Sequence, residues 1–170
     1  MIPPVSRVLA RAPWRGARTY RTLMGSTYHS LHYHIIFSTK HRQPFIGLPW
    51  RDTLHQYIGG TVRGLDGVAR RIGGVEDHVH LLVDLTPNHK IAAFLRELKK
   101  ASSLWASARH CRQFEWQDGY AAFTVSASRL EKVRAYVDSQ QEHHRTISFI
   151  DELKILLKKH GINFDPKYLD

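Results

Sequence analysis

The chain has 170 residues, of which 42% are hydrophobic and 11% aromatic, which is enough for one domain with a hydrophobic core. This composition is typical of a globular protein and excludes an intrinsically disordered one. The single cysteine, Cys111, excludes an internal disulfide, and no apolar run is long enough to span a bilayer. A formal net charge of +10 favours a polyanionic partner, most simply nucleic acid.

The first 25 residues differ from the rest of the chain, because they contain five arginines and no acidic residue. They are rich in proline and alanine and show no apolar period. Such a segment suits an organellar transit peptide or a basic arm, and it also fits sequence upstream of a natural start at Met24. We expect residues 1–25 to be a disordered or dispensable leader and residues 26–170 to form the functional domain.

Hydrophobic periodicity predicts strands and helices that alternate along the chain. Strands rich in aromatic and β-branched residues are expected at residues 28–39, 68–75, 74–84 and 120–126. Amphipathic helices are expected at residues 49–63, 89–110, 128 to beyond 137, and 148–161. The second and third strands are close enough in sequence to pair as a hairpin.

The third predicted strand contains two histidines, His78 and His80, separated by one apolar residue. Alternate side chains of a strand share a face, so both imidazoles point the same way while Val79 faces the core. Two adjacent imidazoles can hold one divalent cation. Asp77 is placed to orient the first imidazole, or it serves as a turn residue. The motif alone is a weak signal, and two surface histidines are the alternative.

A rival pair of histidines, His32 and His34, lies in the first predicted strand. The same alternation puts both imidazoles on one face of that strand. Residue types alone do not choose between the two pairs as a metal site.

A second candidate group lies on the predicted helix that begins at the capping-box sequence near Ser128. Tyr136 and Gln140 are spaced i, i+4, so they lie one above the other, and His143 and His144 follow one turn later. A tyrosine hydroxyl and an amide oxygen on one face can share a metal-bound phosphate. The alternative is a tyrosine packed against the sheet beside a solvated glutamine.

Basic residues outside these groups are candidates for contacts with a nucleic-acid backbone. The helix predicted at residues 89–110 has a basic side with few acidic residues, and a short basic run precedes the first loop. A solvated polar face is the alternative explanation of such charges. The residues that we select as DNA-binding candidates are Lys40, Arg42, Arg96, Lys99 and Lys100.

Four pieces of the sequence, taken in order and spacing, resemble one known family. They are residues 33–40 (YHIIFSTK), 77–83 (DHVHLLV), 116–126 (WQDGYAAFTVS) and 136–145 (YVDSQQEHHR). From about residue 28 to its C-terminus, the chain resembles the single-tyrosine HUH transposases of the IS200/IS605 type, including their relatives associated with repeated palindromes. No one of these pieces is sufficient, but their order and spacing are specific.

The resemblance implies an α+β fold, a sandwich similar to ferredoxin-like or RNA-recognition-like domains, with an antiparallel sheet and helices packed on one face. The family's histidine pair falls on His78 and His80 rather than on the rival pair, its nucleophile on Tyr136, and its third metal ligand on Gln140. Members are usually homodimers in which the tyrosine helix of one subunit can complete the site of the other.

The resemblance also implies a reaction. The expected enzyme is a DNA strand transferase and endonuclease that uses Mg²⁺ or Mn²⁺ to cleave and rejoin single-stranded DNA through a 5′-phosphotyrosine intermediate. Its expected substrate is single-stranded DNA with a hairpin near the cleavage site, and its expected location is the bacterial cytoplasm, at the nucleoid. No membrane partner is expected.

Three other functions are compatible with the same residues. The first is a binding module of the same fold without chemistry, and the second is a metal-dependent hydrolase that activates water. The third is a rolling-circle replication initiator, whose chemistry would be nearly identical.

Overall fold

The computed structural model describes residues 27–169. Its central element is a four-stranded antiparallel sheet. The proposed leader at residues 1–25 therefore lies outside the described residues. The sheet has the order β2-β3-β1-β4 and consists of the strands β1 (His32–Ser38), β2 (Val68–Gly74), β3 (His78–Asp84) and β4 (Ala121–Val125). The predicted strands are all present but shorter, and β2 and β3 pair as the expected hairpin.

In the part of the chain that the structure describes, five α-helices pack around the sheet, so the predicted α+β class is confirmed. Within residues 27–169, no helix combines the length and the apolar character that crossing a membrane requires. The helices are α1 (Leu48–Gly64), α2 (Ile91–Arg109), α3 (Leu130–Asp138), α4 (Gln140–His143) and α5 (Phe149–Lys159). Short 3₁₀ turns lie at Lys40–Arg42, Ala127–Arg129 and Pro166–Tyr168.

The two faces of β3 have different neighbours. Val79, Leu81 and Val83 are fully buried in the larger core, which also contains the apolar stripes of α1 and α2. His78 and His80 point to the opposite face, where they lie beside Ser38 and Ile36 of β1 in the strand register. The alternation predicted from the sequence therefore separates the core from the imidazoles.

The imidazole face of the sheet is also covered by helices, whereas the resemblance placed helices on one face. Ile36 and Phe123 of the sheet form a smaller core with Phe149, Leu156 and Leu157 of α5. These two sheet residues are apolar, so a helix must cover them to exclude water. Ser148 caps the N-terminus of α5 as predicted, because its side chain accepts a hydrogen bond from the Asp151 amide at 3.2 Å.

The helix predicted from Ser128 is divided in two. Its first α-helical residue is Leu130, after a 3₁₀ turn, and no side-chain capping bond forms at this end. Ser139 interrupts it between α3 and α4, with φ −89° and ψ 8°. Backbone bonds continue across the break, since the Ser139 amide donates to Ala135 and the His143 amide donates to Ser139. The i, i+4 relationship of the candidate residues is therefore retained.

We expect Leu81→Ala to lower the free energy of unfolding by about 2–5 kcal/mol, because it leaves a cavity at a side chain with 0% exposure. The control is Leu104→Ala on α2, where the side chain is 63% exposed and the expected loss is under about 0.5 kcal/mol. Urea denaturation measures both. Equal losses for the two variants would contradict the core described above.

Candidate active site

The two imidazoles of β3 are fully buried, and each is oriented through its Nδ1 atom. Nδ1 of His78 donates to Oδ1 of Asp77 at 2.7 Å, and Nδ1 of His80 lies 2.9 Å from Nε2 of His34. Within residues 27–169, the Nε2 atoms of His78 and His80 have no hydrogen-bond partner. Both unpaired nitrogens point into the space between the sheet and the C-terminal helices.

Burial keeps the imidazoles of His80 and His34 neutral. It lowers the pKa of His80 to about 4, although the nearby Glu152 carboxylate opposes the shift. Burial, assisted by the neighbouring His80, lowers the pKa of His34 to about 3. Neutral imidazoles keep the lone pair that metal coordination requires.

The rival histidine pair has separate partners. Nδ1 of His32 donates to Oδ1 of Asp84 at 2.6 Å, and its Nε2 lies 2.8 Å from the Ser30 hydroxyl. His34 contacts His80, with ring centroids 5.1 Å apart. His32 therefore supports the strand end, while His34 supports the imidazole of His80.

The helix α3 brings Tyr136 to the imidazoles within the same chain. It packs against β2 at Gly73, where an added Cβ would lie 2.3 Å from the Val137 carbonyl oxygen. An ion pair between Arg71 and Asp138 links the same two elements. The ring centroid of Tyr136 lies 5.9 Å from that of His80, so the phenol lies next to the imidazole pair.

Gln140 is buried at the same place, with 1% exposure. Its Nε2 donates to Oε1 of Glu152 at 3.0 Å, and its Oε1 lies 3.0 Å from Nε2 of His144. A solvated glutamine is therefore excluded. The structure brings together Tyr136, Gln140 and the imidazole pair, which the sequence could only place on separate elements.

The centre of the site is Glu152 of α5, a residue that the sequence analysis missed. It is 2% exposed, and its Oε2 atom lies 3.4 Å from Nε2 of His80 and 4.0 Å from Nε2 of His78. Its Oε1 atom accepts a hydrogen bond from the Tyr136 hydroxyl. A signal was available, because Glu152 lies on the apolar stripe of α5, three residues after Phe149 and four before Leu156.

The site could hold a cation. One ligand atom each from His78, His80, His144 and Glu152 lie within 4.8 Å of one another. His144 is already engaged through both ring nitrogens, because Nδ1 faces the Ile147 carbonyl at 2.9 Å and Nε2 faces Gln140. Burial alone would lower the pKa of His144, but the Glu152 carboxylate and the Ile147 carbonyl raise it.

Burial and the charge of Glu152 keep the phenol protonated. Burial raises the pKa of Tyr136 well above its ordinary range, and the Glu152 carboxylate adds to the shift. Burial would also raise the pKa of Glu152, but the histidines His144 and His80 and the phenol lower it far below its ordinary range. The metal-free site therefore holds a carboxylate and a neutral tyrosine.

An open cavity of about 800 Å³ lies beside Tyr136 and Glu152. Its other lining residues include the basic side chains of Arg129, Lys132 and Lys159. These cations surround the approach to the phenol, so the cavity suits a phosphate-bearing ligand.

Four of the five DNA-binding candidates line a second groove, of about 440 Å³, between α2 and the loop before β4. The ammonium group of Lys99 is already engaged within the protein, because it donates to the carbonyl oxygens of Gln117, at 2.8 Å, and Gly119. Burial also lowers the pKa of Lys99 to about 8. Arg42 is not among the groove residues. The four that line the groove are Lys40, Arg96, Lys99 and Lys100.

We expect Gly73→Ala to lower the free energy of unfolding by about 1–3 kcal/mol, because the new methyl group would push α3 away from β2. The control is Gly64→Ala in α1, where an added Cβ has no neighbour within 4 Å. That variant should be as stable as the parent, or more stable by up to about 1 kcal/mol. Urea unfolding that leaves Gly73→Ala as stable as Gly64→Ala would contradict the direct packing of α3 on β2.

Comparison with known proteins gives the family. The family model described as "Transposase IS200 like" matches residues 27–140, more than half of the chain. The ISDra2 transposase TnpA of Deinococcus radiodurans is 29% identical over 133 residues, which cover 67% of this chain and 86% of that protein.

A solved structure gives a similar result. The crystal structure of a putative transposase from Deinococcus radiodurans R1 shares 27% identity and a TM-score of 0.54, and the match covers 70% of this chain and 98% of the other. A REP-associated tyrosine transposase bound to a REP hairpin shares 14% identity and a TM-score of 0.47, and the match covers 69% of this chain and 70% of the other. This structural similarity is too low to support a conclusion about the chain. The chain belongs to the IS200-like transposase family and is a tyrosine transposase of single-stranded DNA.

Proposed function

We propose that the enzyme cleaves and rejoins single-stranded DNA by metal-dependent transesterification, with Tyr136 as the nucleophile. One observation carries this proposal: the Tyr136 hydroxyl donates to Glu152, whose other oxygen lies 3.4 Å from the unpaired Nε2 of His80. Glu152 therefore links the phenol directly to the imidazole pair.

The chemistry of the donor atoms supports a metal at this place. Nε2 of His78, Nε2 of His80 and Oε2 of Glu152 are buried without hydrogen-bond partners among the described residues, which is costly unless a ligand pairs with them. His78 and His80 would hold Mg²⁺ or Mn²⁺, and imidazole ligands favour Mn²⁺. Gln140, the third ligand implied by the resemblance, and Glu152 both supply oxygens nearby. A divalent cation held there would polarise the scissile phosphate.

Tyr136 would attack the phosphorus through its Oη atom. A bond forms between Oη and phosphorus while the bond to the 3′-oxygen breaks, and the 3′-oxygen leaves as a hydroxyl after it takes a proton from solvent. The phenol proton passes to solvent as the bond to phosphorus forms, while Oε1 of Glu152, to which the phenol already donates, holds the hydroxyl in place. The product is a 5′-phosphotyrosine, in which the phosphodiester energy is conserved for attack by another 3′-hydroxyl.

Tyr136 stays protonated without a bound cation, because burial, together with the adjacent Glu152 carboxylate, raises its pKa. A neutral phenol is a poor nucleophile. Positive charge beside Glu152 would offset the negative charge that holds the proton on the phenol. This dependence supports a reaction that starts only with the metal and the DNA in place.

The basic groove is our proposed path for the DNA backbone. Lys40, Arg96, Lys99 and Lys100 line it together, and a hairpin next to the cleavage site would supply closely spaced phosphates. The hairpin contact is therefore expected at this groove.

We also propose a homodimer and a location at the bacterial nucleoid, and only the resemblance to the family supports these two points. Tyr136 and the imidazoles meet within one chain, so we propose that cleavage does not need a tyrosine from a partner.

We expect Tyr136→Phe to lower the yield of covalent protein–DNA adduct by about 100-fold or more, because the ring remains but the nucleophile is lost. The substrate is a single-stranded oligonucleotide from DNA flanking the gene, labelled at its 3′ end, since that fragment carries the phosphotyrosine. The assay is a denaturing gel run with Mn²⁺ and with a chelator.

The matched control is Tyr57→Phe on α1, on the other face of the sheet, which should retain the adduct. An adduct of unchanged yield in Tyr136→Phe would exclude this tyrosine as the nucleophile. Cleavage by the parent enzyme without any adduct would instead support a hydrolase that activates water.

We expect the double variant Arg96→Ala/Lys100→Ala to bind single-stranded DNA about 10-fold more weakly at moderate salt, and equally for different sequences. The slope of affinity against salt concentration should fall by about 0.7 for each lost phosphate contact. Fluorescence anisotropy measures both. Arg63→Ala on α1 is the control, and an equal effect of that variant would contradict the groove as the DNA path.

A further inference from the structure

We propose that Glu152 is a protein ligand of the cation and takes the place that the resemblance gives to Gln140, which instead positions the carboxylate. The inference rests on the proposed metal site at His78 and His80. It changes the donor set from two imidazoles and an amide to two imidazoles and a carboxylate.

The separations of the donor atoms fit one shared cation. Oε2 of Glu152 lies 3.4 Å from Nε2 of His80 and 4.0 Å from Nε2 of His78. Ligand atoms bound to one cation at about 2.1 Å are about 3–4 Å apart, depending on the angle between the bonds. The carboxylate therefore needs no large movement to complete the site.

The two oxygens of Glu152 have different partners. Oε1 accepts hydrogen bonds from the Tyr136 hydroxyl and from Nε2 of Gln140. Oε2 is buried without a hydrogen-bond partner among the described residues. It lies 3.3 Å from Nε2 of His144, 3.4 Å from that of His80 and 4.0 Å from that of His78, so it faces ring nitrogens that can surround a cation.

Gln140 is oriented for a different task. Its amide nitrogen faces Oε1 of Glu152, and its amide oxygen faces His144 at 3.0 Å. A flipped amide would set two oxygen acceptors, Oε1 of Gln140 and Oε1 of Glu152, against each other. The hydrogen-bond network therefore engages the Gln140 oxygen with His144, while the Gln140 nitrogen fixes the carboxylate.

Packing holds the carboxylate in place. Ser148 caps the start of α5, and Phe149 stacks on the His78 ring with centroids 4.3 Å apart. Leu156 and Leu157 anchor the following turns in the smaller core. Glu152 lies beyond residues 27–140, where the family match ends, so this ligand comes from a part of the chain that the match does not include.

The proposed donor set has consequences for binding. A carboxylate adds a negative charge to two neutral imidazoles, which strengthens the attraction for a divalent cation. Mixed imidazole and carboxylate donors suit Mn²⁺, whereas Mg²⁺ prefers oxygen and water. The same carboxylate also accepts from Tyr136, so the cation and the nucleophile would share one side chain.

The test is Mn²⁺ binding by the full chain, measured by electron paramagnetic resonance of free Mn²⁺ and by calorimetry without DNA. We expect Glu152→Gln to weaken binding by about 100-fold or more, and Gln140→Ala to weaken it less, since loss of a group that only orients a ligand costs about 10–100-fold. Glu131→Gln, at an exposed carboxylate on α3, should bind like the parent.

Two further variants keep the test decisive. His78→Ala/His80→Ala should abolish binding, and if it leaves Mn²⁺ affinity unchanged, the proposed metal site itself is wrong. If the histidines matter but Gln140→Ala loses more affinity than Glu152→Gln, this inference alone is overturned. Glu152→Asp should give intermediate affinity, and circular dichroism with urea unfolding checks that every variant is folded.

Discussion

A buried carboxylate, Glu152, holds the two halves of the candidate site together. A buried charge costs several kcal/mol unless neighbouring groups compensate for it. Here the sheet supplies imidazoles on one side, and α3 and α4 supply a phenol and an amide on the other. The same contacts that make the charge tolerable bring the candidate nucleophile to the candidate metal ligands.

One face of the sheet forms the larger hydrophobic core, and the other face carries the candidate active site. Odd-numbered residues of β3 complete the core with α1 and α2, and even-numbered ones carry the imidazoles. The helices α3 and α5 bury the imidazoles. Burial lowers the pKa of His80, so its ring stays neutral, and its Nε2 has no hydrogen-bond partner among the described residues. The open cavity beside Tyr136 leaves one approach for a charged strand. This arrangement suits the proposed reaction, in which water would otherwise compete with the phenol and with a returning 3′-hydroxyl.

Local periodicity was sufficient to predict part of this arrangement. Alternation in β3 predicted that His78 and His80 share a face, and the i, i+4 spacing predicted that Tyr136 and Gln140 lie in line. Both statements concern residues on one element, where geometry is fixed by the backbone. The strands followed for the same reason. The α+β class was implied by the resemblance to the family, and both the class and the family were confirmed.

Contacts between elements could not be predicted in the same way. The chain position of Glu152 gives no distance to His80, because that distance depends on how α5 packs on the sheet. For the same reason His34 looked like part of a rival metal site, whereas it supports His80. Lys99 looked like a free cation on a basic helix, although it bonds to two backbone carbonyls. The second layer of helices also depends on long-range packing of Ile36 and Phe123.

The central claim is that one cation binds between the β3 imidazoles and α5. Crystals soaked in Mn²⁺ and measured at its absorption edge test this directly, because anomalous scattering locates the ion independently of any activity. The account predicts one strong peak about 2.0–2.3 Å from Nε2 of His78, Nε2 of His80 and Oε2 of Glu152. A peak at His32 and His34 instead, or none at the β3 imidazoles when Mn²⁺ binds elsewhere, would contradict it.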